Sequence, residues 1–270
     1  MNRLFGDLAL ARQIEEYAAI DDAAYIKAMK QLNPKGKFEF FEFSSGRSCY
    51  AGNSPFSNTH GFGTNSDEHN EKCLREIEQF FLTNSCPSIF SVASVSENSC
   101  LKLLYDNGYS PVGFRNVYIH TERSKNLSIS TESIHIKEVA AKEELNTWLF
   151  TVSNGFAGKE LDKPDSISLG QSIKKGNRFF LAYFNGKVAG GSALYLNGKF
   201  ARLGGMTTLP EFQGRGIQQA MIDFRVNFAK ESGSEIISSD TNPGNNSQRN
   251  LERLGFKLAY VRGIYRKSPS

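Results

Sequence analysis

No apolar run in this sequence approaches the ~20 residues that a membrane-spanning helix needs, so no membrane span is expected. Cysteine and histidine are scarce. Cys49, Cys73, Cys86 and Cys100 stand far apart in the N-terminal half without a Cys-x-x-Cys pair, and His60, His69, His120 and His135 are equally scattered. No metal is expected from such spacing, and unbridged thiols in a reducing compartment fit it better than disulfides. No block of lysine or arginine occurs either: 32 basic residues face 28 acidic ones, and the net charge of +4 is spread along the chain. That excludes a nucleic-acid footprint but suits an anionic ligand. Asp7, Glu15 and Glu16 interrupt any signal-peptide core, so a cytoplasmic location is expected and the Asn-x-Ser triplets at Asn126 and Asn245 are read as chance.

What the sequence does have is a glycine-rich elbow. Phe200–Met206 reads as a strand, and Ile217, Met221, Phe224 and Phe228 recur at helical spacing, with Lys230 and Gly233 as stop signals. Between them lies Pro210-Glu211-Phe212-Gln213-Gly214-Arg215-Gly216. A helix start leaves unpartnered N–H groups and partial positive charge, and glycines let an anion come close to the backbone. Arg215 adds a charge. A plain tight turn is the bland alternative, since short Gly-x-Gly matches are weak.

A dinucleotide fingerprint would place a third glycine at position 219, which is Gln219. The strands upstream decide further. Asn185-Gly186 and Asn197-Gly198 separate three apolar runs (Phe179–Phe184, Val188–Leu196, Phe200–Met206) and predict two hairpins with positive φ at both turn residues. A Rossmann unit needs parallel strands, so it is rejected.

An antiparallel meander, then Pro210 and Gln213-Gly214-Arg215-Gly216, then a helix, a strand and Asn250-Leu251-Glu252-Arg253-Leu254-Gly255-Phe256 resembles the GNAT superfamily of acyl-CoA-dependent N-acyltransferases. Gln218 departs from the small residue usual there. The resemblance covers about residues 132–270. It implies an acyl-CoA co-substrate, acetyl-CoA first, held by Met206, Thr207, Thr208, Gln213, Gly214, Arg215, Gly216, Ile217 and Gln218, with Asn246 and Asn250 beside it. Capping is the alternative reading of Asn245 and Asn246. A backbone N–H around Met206–Thr208 would polarise the thioester.

In the first half, residues 3–32 read as a helix, Phe38–Phe43 and Ser48–Ala51 as strands, and Leu74–Phe81 as part of a helix. Ser88–Val95 reads as a strand, Asn98–Asn107 as a helix and Val112–His120 as a strand. Polar residues 122–131 mark the boundary. The ends of the two halves can be superposed: from Gly108, Arg115 and Tyr118 fall at the same offsets as Arg262 and Tyr265 from Gly255. The fold class expected is therefore α/β with two GNAT-like domains, each a mixed, mainly antiparallel twisted sheet flanked by helices. Residues 1–125 would be a degenerate copy and 132–270 the N-acetyltransferase domain. Gly61-Phe62-Gly63-Thr64-Asn65-Ser66-Asp67-Glu68 replaces the elbow in the first copy, and its two acids would repel a diphosphate.

In the second half, Trp148 falls on the apolar stripe of a helix over 143–156 and is read as core. Residues 155–159 read as a loop or lid, and a second helix is expected near 166–174. Acyl transfer to an amine asks for a base, an oxyanion donor and a leaving thiolate. Many family members carry a general-acid tyrosine where this chain has Leu251. Tyr260 or Tyr265 are candidate substitutes, and Asp240, or Glu160, the candidate base. The expected partner is a small-molecule amine, without nucleic acid or membrane, for a monomer or homodimer. The alternatives are a non-catalytic acyl-CoA or small-molecule binding module and a protein-modifying enzyme with an open acceptor groove.

Overall fold

The computed structural model describes residues 6–65, 70–120 and 133–267. The acids Asp67 and Glu68, His69, and the boundary segment 122–131 with Asn126 lie outside the described residues. The chain forms two compact units: 1–117 with 240–243 and 258–270, and 118–239 with 244–257. Among the described residues no helix is long and apolar enough to cross a membrane, and none of the four cysteines is in a disulfide.

The first unit contains α1 (Leu8–Leu32), β1 (Glu39–Phe43), β2 (Gly46–Tyr50), β3 (Asn58–His60), α2 (Glu71–Thr83), β4 (Ile89–Ala93), α3 (Asn98–Asp106) and most of β5 (Tyr109–His120). Asp7 starts α1 by accepting from the Leu10 amide at 2.9 Å, one of the donors a helix start leaves open. β1, β2 and β3 are antiparallel, and β3 pairs with β4 in parallel. Phe62, Leu74, Ile77, Phe81, Phe90 and Leu104 fill its core. β3, three residues long, is too short to show a period and was not expected from the sequence.

The second unit contains β6 (Ile134–Glu138), α4 (Lys142–Ala157), α5 (Ser166–Ile173), β7 (Asn177–Phe184), β8 (Lys187–Asn197), β9 (Phe200–Thr208), α6 (Ile217–Glu231), β10 (Ile236–Thr241, to Ser239) and α7 (Asn246–Arg253). β6 to β9 form an antiparallel meander, and β10 adds to β9 in parallel. α4 buries Trp148, Leu149 and Val152, as its apolar stripe predicts. The Trp148 indole also donates to the Ser192 carbonyl at 2.9 Å. Asn185 (φ 47°) and Gly186 (φ 78°) make the expected turn. At the next hairpin the expectation is corrected: Asn197 stays in the strand and Gly198 (φ 56°) leads a Gly198-Lys199 turn. A glycine in first place suffices for that turn type.

The last strand, β11 (Phe256–Lys267), begins in the second unit and from Leu258 belongs to the first. There it pairs antiparallel with β4, Arg262 opposite Ala93 and Arg266 opposite Ile89. It is anchored by a buried charge cluster. Glu15, fully buried on α1, accepts from Tyr260 Oη at 2.6 Å, Arg262 Nε at 2.9 Å and His60 Nδ1 at 2.8 Å. His60 Nε2 lies 3.3 Å from Asp22 Oδ2. Burial alone would raise the Glu15 pKa, but the Arg262 charge and the His60 hydrogen bond outweigh it and hold it at about 2.

The element order of the two halves of the chain repeats. Each has an antiparallel meander, a helix, a strand parallel to the meander's last strand, a short helix, a glycine in the left-handed region (Gly108 φ 81°, Gly255 φ 84°) and a 12-residue strand.

Candidate active site

The elbow begins where β9 leaves the meander. Opposite the single residue Ser192 of β8, β9 places two, Gly205 and Met206, and Gly205 has φ 38°. This bulge takes backbone groups out of the ladder just before Thr207 and Thr208. It is braced from below by Arg225 of α6, which is 1 % exposed. Its guanidinium donates to the carbonyls of Ala193 (2.8 Å), Gly204 (3.0 Å) and Met221 (3.1 Å) and approaches Met206 Sδ. Burial lowers its pKa to about 9, so it remains charged at neutral pH. Nothing local in the sequence signals this role, because a charge on a helix reads as outward-facing.

After a 3-10 turn at Pro210–Phe212, Gly214 (φ 76°) and Gly216 (φ 78°) both adopt left-handed geometry and Gly216 caps α6. A Cβ at Gly214 would meet no atom within 4 Å, so this turn is open. Beside it lies a cleft of about 540 Å³. The structure brings Met206, Thr207, Thr208, Gln213, Gly214, Gly216, Ile217, Gln218, Asn246 and Asn250 together on its walls. Gly155, Phe212, Gln219, Arg249 and Arg253 line it as well and were not singled out from the sequence. Gly155 is helical, as are Phe156 and Ala157, which corrects the expectation of a loop; α4 ends at Gly158. A Cβ at Gly155 would lie 2.2 Å from Thr207 Oγ1, so glycine is what lets α4 close against the cleft strand.

Side chains of α6 and α7 are tied together across the site. Asn250 Nδ2 donates to Gln218 Oε1 (2.8 Å), Gln219 Nε2 to Asn250 Oδ1 (3.3 Å) and Gln218 Nε2 to Ser247 Oγ (3.1 Å). Gln218, the departure from a small residue, therefore fixes the two helices together. Asn245 caps α7 through the Gln248 amide, the structural alternative its spacing offered.

Three expected site residues are placed elsewhere. Arg215 does not line the cleft; its guanidinium sits over the Phe184 ring, 5.0 Å from the centroid. Asp240 belongs to the first unit, 3.9 Å from Arg115 Nε. Tyr260 is buried in the charge cluster, where desolvation and the Glu15 charge push its phenol well above the usual range. Neither Asp240 nor Tyr260 is among the residues lining the cleft. The Tyr260 hydroxyl has a carboxylate partner in the core in place of a substrate.

Residues 142–256 match the model of the Acetyltransferase (GNAT) family. This part of the chain belongs to that family. The GNAT domain so defined holds the bulge, the elbow, α6 and α7. Among solved structures the whole chain is similar in fold to a GCN5-related N-acetyltransferase from Kribbella flavida (TM-score 0.63, 12 % identity, 94 % of this chain and 97 % of that one). It is likewise similar to a GCN5-related N-acetyltransferase from Sphaerobacter thermophilus (TM-score 0.58, 13 %, 95 % and 93 %). A third is a GNAT-family acetyltransferase from Colwellia psychrerythraea (TM-score 0.55, 18 %, 92 % and 94 %). No curated protein matches the sequence.

Fit to an acyl-CoA can be tested on the cleft itself. The open turn at Gly214 leaves its backbone approachable, and the helix start behind Gly216 supplies the partial positive charge. The buried Thr208 hydroxyl on the cleft wall has no hydrogen-bond partner among the described residues, a deficit a ligand's polar group can relieve. These residues fit the group.

Proposed function

We propose that the protein is an acyl-CoA-dependent N-acyltransferase, using acetyl-CoA at the cleft of its GNAT domain to acylate a small-molecule amine. The observation that carries this reading is the convergence, in one cleft, of an open two-glycine elbow at a helix start with a bulged strand. The elbow would hold the diphosphate, and backbone N–H groups around Met206–Thr208 would meet the thioester oxygen. The neutral amine attacks the carbonyl carbon, the C–N bond forms, the C–S bond breaks and CoA leaves as thiolate. The amine's proton passes to water, since no carboxylate, histidine or tyrosine is among the described residues lining the cleft. A thiolate of pKa about 8.5 departs without a general acid.

That same lack of a side-chain acid or base favours a second reading, an acyl-CoA binding module without turnover. Thiol release from acetyl-CoA, followed with a panel of amines, aminoglycosides, amino acids and peptides alongside CoA calorimetry, separates them. Turnover with any acceptor supports the enzyme. Binding without turnover supports the module, and no binding defeats both.

We read the first unit as a diverged copy that does not take CoA. Its elbow glycines serve packing: a Cβ at Gly63 would lie 2.4 Å from Cys100 Sγ, and one at Gly61 2.0 Å from the Ser45 carbonyl oxygen. The space that is open at Gly214 is filled by protein there. One CoA per chain in calorimetry supports this, and two would overturn it.

A further inference from the structure

Asn246, Arg249, Asn250 and Arg253 all line the cleft, and their i, i+3, i+4, i+7 spacing makes them one face of α7. Two of these four are cations, and both are exposed. Neither guanidinium has an ion-pair partner among the described residues. The helix's one carboxylate, Glu252, is turned to other partners: Tyr118 Oη donates to it at 2.7 Å and Gln248 Nε2 at 2.9 Å. The cleft face of α7 is therefore positive and uncompensated. It also stands beside the elbow, because Asn250, between the two arginines, is hydrogen-bonded to Gln218 and Gln219 in the first turn of α6.

We propose that Arg249 and Arg253 bind the 3′-phosphate of the donor and so make this site selective for CoA over 3′-dephospho-CoA. The inference rests on the acyl-CoA reading above and extends it. The elbow offers backbone N–H groups for the diphosphate. A phosphate monoester dianion calls for a second set of donors, and paired guanidinium forks match it. The ligand's own covalent structure decides between the 3′-phosphate and an acidic acceptor. Diphosphate and 3′-phosphate hang on the same ribose, whereas the thioester lies a full pantetheine arm away. An acceptor that reaches the thioester at the bulge is kept from the elbow, and the arginines are next to the elbow. Arg215, the cation nearest in sequence, is withdrawn over Phe184, which leaves α7 to supply the charge.

The test is a cycle of two ligands and three variants, Arg249→Gln, Arg253→Gln and the double, on the full chain. Affinities for CoA and for 3′-dephospho-CoA are measured by calorimetry, with a thermal melt to show that the exposed substitutions leave the fold in place. Wild type should prefer CoA by roughly tenfold or more, and the double variant should lose that preference while its 3′-dephospho-CoA affinity stays within about twofold. Equal binding of both ligands by wild type, or a double variant that weakens both equally, would overturn the assignment while leaving the acyl-CoA reading standing. A variant that keeps its preference but raises the acceptor KM would move the arginines to the acceptor. Wild type binding neither ligand removes the acyl-CoA reading and this inference together.

Discussion

Glu15→Gln is the substitution whose cost the structure defines best. The wild-type carboxylate is fully buried and takes hydrogen bonds from Tyr260, Arg262 and His60. Its pKa is held at about 2 against an ordinary 4.5. At about 1.36 kcal/mol per unit, that preference for the charged form corresponds to roughly 3 kcal/mol. Removing one member of a buried ionic group costs about 3–5 kcal/mol by an independent route, because Arg262 is left without its partner. The sign follows from the depressed pKa: the stabilisation is present above pH 4.5 and is lost as pH falls through 2. The assay is urea unfolding at several pH values. Trp148, the one tryptophan, is buried in the second unit, so its fluorescence follows that unit, and far-UV circular dichroism is needed for the first. Glu15→Gln should lower stability by about 3 kcal/mol at pH 6, with the gap closing between pH 4.5 and 2. Equal stability of the two proteins at pH 6 would refute the reasoning.

His60 titrates in the opposite sense. Burial and the Arg262 charge lower its pKa, but hydrogen bonds to Asp22 and Glu15 overcome them and the net shift is upward. Its contribution is therefore full below pH 6.5 and is lost as pH rises through the folded pKa, so His60→Gln should flatten the alkaline side of the stability profile. Arg225→Leu should cost about 2–4 kcal/mol by stranding the carbonyls of Ala193 and Gly204, and should raise the Kd for CoA through the bulge. A melt and a CoA titration check both, and wild-type values in the two measurements would dismiss the brace. Gly216→Glu should abolish CoA binding, and because residue 216 has φ 78° it should also lower stability by about 1–2 kcal/mol. Unchanged CoA affinity in that variant would remove the elbow from the mechanism.

What could be read from the sequence was local. The elbow, the Asn185-Gly186 turn and the apolar stripe of α4 were legible because glycine φ and side-chain period act over a few residues. The helix–glycine–strand units ending in β5 and β11 were legible as a repeat for the same reason. What escaped depends on partners far away in the chain. Tyr260 looked like a candidate acid, but its hydroxyl answers to Glu15, 245 residues earlier. Arg225 was hidden because hydropathy cannot show that two carbonyls at a bulge await a buried donor. Arg249 and Arg253 carry no local signal either, because only the fold sets their exposed side chains beside the cleft.

The path of β11 governs the order in which a ribosome can finish this protein. Residues 1–117 emerge first, yet their sheet lacks the neighbour of β4, and Glu15 lacks Tyr260 and Arg262, until residues 258–267 have been translated. The earliest-made half is thus the last to close, and a nascent chain halted after Phe256 would carry an open strand edge and a buried carboxylate that keeps His60 but lacks Tyr260 and Arg262.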